Sequence, residues 1–286
     1  MRIITGLLLA LLLAACGPKP EPAHPALWLV EGTKGEKAWL FGTIHSLPRP
    51  VQWRSQAVDE ALRQSDRIVV EIGNLGDDAA MAEIFGRLAR SPGQPPLAER
   101  VKPELRGGLN ALIEKSGMKP GDFSSTETWA AALMLARVGD RELDGKYGVD
   151  RAVIDAADGK PVIALEGAER QLGIFDRLPE KEQRDLLNLV VADGDGIDGE
   201  SKRLAEIWCK GDMKAIEAET RVGLLADPEL REALFTRRNQ VWIGSITAIL
   251  RQEQRPFVAV GAAHMAGSEG LPALLEGRGY KVTRIQ

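Results

Sequence analysis

Two periodicities run through the chain and divide it into elements. Unbroken apolar runs bounded by glycine, proline or charged residues read as buried strands at residues 26–30 (ALWLV), 37–41 (KAWLF), 67–72 (RIVVEI), 160–166 (KPVIALE), 256–260 (PFVAV) and 280–285 (YKVTRI), the last as an edge strand. Between them apolar residues recur at helical spacing: Ala57, Val58, Ala61 and Leu62; Met81, Ile84, Phe85 and Leu88; the almost wholly apolar 128–138; then 148–157, 179–192, 200–208 and 271–276. A single long helix is predicted over 228–250, with Leu230, Leu234, Trp242, Ile243, Ile246, Ile249 and Leu250 on its buried face. The first two strands flank EGTKGE, whose glycines favour a tight connection, so they pair as an N-terminal β-hairpin. Helix followed by strand implies crossover connections and parallel pairing. The expected fold is α/β, with a mixed, largely parallel central sheet flanked by helices, in one domain over residues 26–286.

The N-terminus breaks this pattern. Arg2 followed by LLLALLL at 7–13 has the form of an export signal too short to span a bilayer, so residues 1–15 read as a leader. Leu13-Ala14-Ala15-Cys16 resembles the bacterial lipobox. That resemblance implies lipidation of Cys16 and, with Gly17 rather than aspartate next, residence on the inner leaflet of the outer membrane facing the periplasm. The alternative is a plain secretory signal cut after Ala15. Residues 16–25, ending in KPEPAHP, read as a lipidated cysteine and a proline-rich tether in which His24 is solvated.

Composition narrows the partners. With 44% apolar and 27% charged residues, the 286-residue chain has ample material for a core, and its net charge of −4, with acids and bases interleaved, offers no basic stripe for nucleic acid. Cys209 has no intrachain partner once Cys16 is lipidated and is expected to act as a small buried hydrophobe. The methionine and aromatic stripes are assigned to the core.

Candidate chemistry centres on the chain's three histidines. Two of them end the same short motif, Gly42-Thr43-Ile44-His45 and Gly261-Ala262-Ala263-His264, each following a predicted strand. Ligands bind outside the carboxyl ends of strands in open α/β sheets, so residues distant in sequence can meet there. Glu71 and Glu166 close two further strands. Two imidazoles with one or two carboxylates suit a divalent transition metal, which acidifies bound water and polarises a carbonyl. The glycine before each histidine would let the backbone turn sharply off the strand. Read without a metal, the histidines are separate structural groups and the glutamates pair with Arg237 or Arg238; Arg237, Arg238 and Asn239 themselves are a surface stretch unless the helix turns them inward. The loop 193–199 (DGDGIDG) departs from an EF-hand at Ile197, Asp198 and Leu204 and reads as a solvated turn. Gly-x-Ser-x-Gly, His-Glu-x-x-His and phosphate-loop motifs are absent.

Leu40-Phe41-Gly42-Thr43-Ile44-His45, Val70-Glu71, Tyr147-Gly148-Val149-Asp150, the run from Pro161 to Glu166, Trp208 with Gly211-Asp212, Arg238-Asn239 with Trp242, and Val260-Gly261-Ala262-Ala263-His264 with Gly267, Gly270 and Gly279-Tyr280 form an ordered set. In this set the chain resembles the TraB/GumN family, which includes the TIKI metalloproteases and is distantly related to erythromycin esterases and haem-binding ChaN-like proteins. The resemblance implies a TIKI/erythromycin-esterase-like fold and a metal-dependent peptidase site served by Mn2+ or Co2+, with Zn2+ as an alternative. By position it points to His45, Glu71 and His264 as ligands and to Glu166, Arg238 and Asn239 as supporting catalytic groups. The expected function is hydrolysis of an amide or ester bond in a peptide or small molecule at the bacterial envelope, with Glu166 or activated water as base and Arg238 steadying the oxyanion. The rival expectation is a lipoprotein that binds haem or metal without turnover.

Overall fold

A computed structural model of the chain describes residues 20–73, 75–139, 143–194 and 197–286. The expected leader, residues 1–15, and Cys16 lie outside the described residues. The strands are β1 (Glu21–Pro22), β2 (Leu27–Glu31), β3 (Lys37–Thr43), β4 (Val51–Gln52), β5 (Arg67–Ile72), β6 (Val162–Glu166), β7 (Pro256–Gly261) and β8 (Lys281–Arg284). Six of them form one sheet in the order β6-β5-β7-β3-β2-β8. The expected hairpin is present, with β2 antiparallel to β3, and β8 closes that edge antiparallel to β2. β3, β7, β5 and β6 run parallel, so their carboxyl ends share one edge. The last parallel strand to be made, β7, enters between β3 and β5, which brings the two Gly-x-x-His segments onto adjacent strands.

Strand alternation gives the sheet two apolar faces. Trp39, Phe41, Ile68, Val70, Phe257 and Ala259 pack under the helices Gln56–Gln64, Val149–Asp155 and Ile197–Cys209. Leu40, Val69, Val258 and Val260 pack under Arg237–Arg251 and Leu271–Glu276. A third core lies off the sheet, where Trp129, Leu135, Leu109, Leu112, Leu186 and Leu187 join the helices Arg106–Ser116, Thr128–Gly139 and Glu180–Ala192. Arg100 is buried beside it, its guanidinium donating to the carbonyls of Pro95, Phe123 and Thr126. Among the described residues no helix is long and apolar enough to cross a membrane.

Several expectations need correction. The segment 21–25, read as tether, is docked on the domain: β1 pairs with β4, the His24 N–H donates to the Cys209 carbonyl, and Ala23 and Pro25 are buried, because two backbone segments offer it unpaired hydrogen-bonding groups. The expected helix over 228–250 is interrupted. Pro228–Arg231 is α-helical, Glu232–Thr236 is a π-turn, and Arg237–Arg251 resumes the α-helix. The wider turn rotates the second half, so that Leu230 and Leu234 pack on Leu178 whereas Asn239, Trp242, Ile243, Ile246 and Leu250 face the sheet. Met81, assigned to the core, lines a cavity with His45 and Glu71, and its helix, Asp78–Leu88, has no buried residue. Part of the 193–199 loop is helical from Ile197 onwards, with Asp195 and Gly196 outside the described residues. Cys209 is half-buried and its thiol is pushed up by burial.

Gly148 joins the helical region to the sheet edge at close quarters: a Cβ there would stand 2.2 Å from the His45 carbonyl oxygen. Gly148→Ala is expected to lower stability by about 2 kcal/mol or more, whereas Gly107→Ala, in a helix with open space around it, should change it by no more than ~1 kcal/mol in the stabilising direction. Urea denaturation of the two variants beside the wild type checks the contrast.

Candidate active site at the sheet edge

The four strand-end residues all reach the same end of the sheet, by different routes. Glu71 is the penultimate residue of β5, and β6 ends on Glu166, in register with Ile72; both carboxylates are buried. β3 and β7 end with Thr43 opposite Gly261, after which the chain leaves the sheet towards His45 and His264. The glycines of the two motifs work through their lack of a side chain rather than through a special turn. Gly261 has φ −47°, and the left-handed glycines of the described residues do not include Gly42. A Cβ on Gly42 would stand 3.1 Å from Ala262 Cα, and one on Gly261 would stand 3.3 Å from Glu71 Oε1. The bare Gly261 instead donates its N–H to Glu71 Oε1 at 2.8 Å, and the Trp208 indole N–H reaches the Gly42 carbonyl at 2.9 Å.

His264 is 7% exposed, stacked on Phe235 with ring centroids 5.4 Å apart and tilted against Trp242. Its Nδ1 lies 2.7 Å from Asn239 Oδ1, while the Asn239 amide nitrogen donates to the Glu269 carbonyl at 2.8 Å. That second bond assigns Oδ1 to the histidine, so His264 donates from Nδ1 and keeps a lone pair on Nε2. Burial pushes its pKa down to about 4, with the Arg238 charge adding to the shift against the pull of Glu71.

His45 is held in the same way by a different partner. Its Nδ1 is 2.8 Å from Asp150 Oδ2, and Asp150 also accepts a hydrogen bond from the Thr43 hydroxyl. The Asp150 carboxylate raises the His45 pKa above the ordinary imidazole range; because the side chain is 70% exposed, water screens part of that attraction. Burial pushes Asp150 up, but His45 and the Thr43 hydroxyl more than offset it and hold the carboxyl low.

Arg238 ties the edge together. Its Nη2 donates to Glu71 Oε2 at 2.8 Å, Nε to Glu166 Oε1 at 3.0 Å, and Nη1 to the Leu234 carbonyl at 3.1 Å and to His264 Nε2 at 3.2 Å. The guanidinium also lies 4.5 Å over the Trp242 ring, whose N–H donates to Glu166 Oε1 at 2.8 Å. Burial pushes Glu71 up, yet His264, His45, Arg238 and the Gly261 N–H together hold it below the usual carboxylate range. Arg237, in contrast, is exposed and pairs with Glu232.

His45, Glu71, Arg238 and His264 line one cavity of about 360 Å3, with Trp208, Ile216 and Leu225 as apolar wall. His45 and Glu71 also line a second chamber of about 330 Å3 that contains Asp150 and Met81. Glu166 lines neither; it sits behind the guanidinium and faces a third cavity. Asn239 is wholly buried and acts through His264. Asp150 and Thr43 are the site residues that pattern reading missed, and the available signal was Asp150 at the end of Tyr147-Gly148-Val149-Asp150.

The residue types suit a divalent cation. Each imidazole has its Nδ1 fixed by an acceptor, the arrangement that orients metal-binding histidines. Glu71, Glu166 and Asp150 outnumber the one guanidinium, and Glu166 Oε2 is buried without a hydrogen-bond partner. The spacing is looser than the composition: the ligand atoms of His45, Glu71 and His264 do not all lie within 4.8 Å of one another, a condition met among the described residues by Glu182, Asp227 and Glu229. The three converge on a cavity rather than on a point, and Arg238 takes up the Glu71 oxygen and the His264 lone pair.

A sequence model of the TraB/PrgY/gumN family matches residues 26–284. The chain is 27% identical over 243 residues to the uncharacterized protein YbaP of Escherichia coli (strain K12), covering 82% of this chain and 86% of that protein, and equally similar to YbaP of Shigella flexneri. No solved structure matches it.

In chelator-treated protein, proton NMR should find the His45 ring titrating above pH 6.5 and returning towards that value in Asp150→Asn, while His264 stays neutral until about pH 4. The two act on stability in opposite senses. The raised His45 pKa contributes stability that is fully present below about pH 6.5 and lost as pH rises through the folded value. The depressed His264 pKa makes the unfolded chain bind more protons below about pH 6.5, so stability falls as pH drops towards 4. Urea midpoints measured across pH 4–9 check both signs.

Proposed function

Because the chain belongs to the TraB/PrgY/gumN family and gathers His45, Glu71, Arg238 and His264 around one cavity, we propose that it is a divalent-metal-dependent hydrolase of amide or ester bonds. The observation that carries this reading is the pair of imidazoles at one cavity, each with Nδ1 committed to an acceptor. His45, His264 and Glu71 would hold the metal, with Mn2+ or Co2+ as the expected ions and Zn2+ as the alternative. When bound, such an ion supplies Lewis acidity, polarising a carbonyl and lowering the pKa of water. Asp150 and Asn239 keep the two rings oriented, and the depressed His264 pKa keeps that ring uncharged at neutral pH.

Arg238 offers electrostatic stabilisation. Three of its five N–H donors are used by Glu166, Glu71 and the Leu234 carbonyl; the Nη1 hydrogen that meets His264 Nε2 would give way to an ion there, and it and the second Nη2 hydrogen would be available to a developing oxyanion. Glu166 fixes the guanidinium rather than touching the substrate. Of the two strand-end glutamates, Glu71 alone lines the cavity, where it would serve as a ligand, so deprotonation of the attacking water would rest on the lowered pKa that the ion supplies. The apolar wall of Trp208, Ile216 and Leu225 suits an acyl or side-chain group of a peptide or small ester. Export and a lipid anchor on Cys16 belong to the same proposal, placing the domain in the periplasm on the outer membrane.

Gently purified protein should contain near-stoichiometric metal and cleave fluorogenic peptide or ester pools, with His45→Ala/His264→Ala losing both. Metal near zero in both proteins after reconstitution with Mn2+, Co2+ and Zn2+ would sink the proposal. Arg238→Lys keeps a charge but not the fork, and kcat should drop by about a hundredfold with KM little changed. Growth in labelled palmitate checks the anchor: label and membrane fractionation should both vanish in Cys16→Ser.

A further inference from the structure

A second carboxylate group stands where the helix Glu180–Ala192 meets the turn Asp227–Arg231. Glu182, Asp227 and Glu229 each offer an oxygen, and the three lie within 4.8 Å of one another. Oxygens bound at about 2.4 Å to one ion are at most ~4.8 Å apart, so the spacing admits a shared cation of calcium size. Surface acids often cluster without a ligand. Glu182 adds an independent observation, because it is only 6% exposed. Its Oε1 accepts from Lys181 Nζ at 2.8 Å, and its Oε2 is buried with no hydrogen-bond partner. A buried carboxylate oxygen left without a donor is costly, and a cation held by Glu182 would offset that cost.

The neighbouring acids are also arranged with capacity to spare. Asp227 caps the turn with Oδ1, which accepts from the N–H groups of Glu229 and Leu230 at 3.0 Å each, leaving Oδ2 uncommitted. Glu182 and Glu229 line a cavity of about 620 Å3, and Asp227 lines the one beside it. The cations on this surface are Lys181, which is 74% exposed and shared with Asp185, and Arg170, Arg177 and Arg237 along the cavity wall. Of these, Lys181 alone pairs with one of the three acids.

We propose that Glu182, Asp227 and Glu229 form a binding site for a hard divalent cation of the Ca2+ class, separate from the His45 cavity, which clamps the Asp227–Arg231 turn to the Glu180–Ala192 helix. Three carboxylates with no nitrogen or sulfur donor select such ions over the softer ones that imidazole suits. The clamped turn runs straight into the π-turn and then Arg238, so the site fixes the root of the helix that presents Arg238 and Asn239.

The test is calorimetric titration of the chelator-stripped full chain with Ca2+, together with thermal melts. One equivalent should bind, and Tm should rise by roughly 5 °C or more at a hundredfold excess over Kd. Asp227→Asn/Glu229→Gln should weaken binding by at least about tenfold, whereas His45→Ala/His264→Ala should leave it unchanged, which separates this site from the hydrolase proposal. Asparagine preserves the cap, and Glu229→Gln alone, at an exposed position, gives the same comparison if the double variant does not fold. No Ca2+ uptake at about 1 mM, uptake indifferent to the carboxylate substitutions, or uptake lost in the histidine variant would each overturn the proposal.

Discussion

The arrangement of the sheet edge depends on one buried guanidinium. Arg238 lies between Glu71 and Glu166, at the carboxyl ends of two neighbouring parallel strands, with all three side chains at most 10% exposed. Charges taken out of water in this way are tolerated only when each finds its partners in good geometry, and removing one member leaves the others stranded, a loss of about 3–5 kcal/mol in comparable cases. The surroundings meet that demand with the Leu234 carbonyl, the Trp242 ring beneath the guanidinium, the indole N–H on Glu166 and the Gly261 N–H on Glu71. Strand ends, helix rotation and aromatic packing therefore have to be right together.

That demand explains the π-turn. The π-turn at Glu232–Thr236 holds more residues per turn than an α-helix and so sets the phase at which Arg238, Asn239 and Trp242 enter the following helix. The wide turn at Glu232–Thr236 changes which side is inward within one length of rod. Apolar spacing alone does not reveal it, because each half is regularly amphipathic and the break falls among residues compatible with either phase.

Much of the architecture was legible because buried strands leave an unmistakable mark. VVEI and FVAVG are apolar on both faces, as strands covered by helices must be, whereas VIALE, expected to be buried, forms the sheet's far edge with Val162 and Ala164 exposed; the carboxylates and glycines near the strand ends marked where the sheet stops. Strand order was not legible, since insertion of β7 between β3 and β5 is decided by long crossovers. Asp150 escaped for a related reason: it stands 105 residues from His45, in the first turn of a helix whose apolar pattern gives no hint of one inward acid. The role of the motif glycines was also misread, because sequence shows the absence of a side chain but not whether that serves a bend or a close approach. The docking of residues 21–25 was missed because a proline-rich polar stretch carries no sign of the groups it will pair with.

If Cys16 carries the proposed lipid, that docking limits how far the domain can stand from a membrane. Pairing of Glu21 with Val51 leaves five residue steps back to Cys16, at most about 18 Å of chain. An acylated Cys16 would thus act as a short leash, keeping the domain close against the lipid headgroups and confining its substrates to molecules that diffuse within the thin layer next to the bilayer.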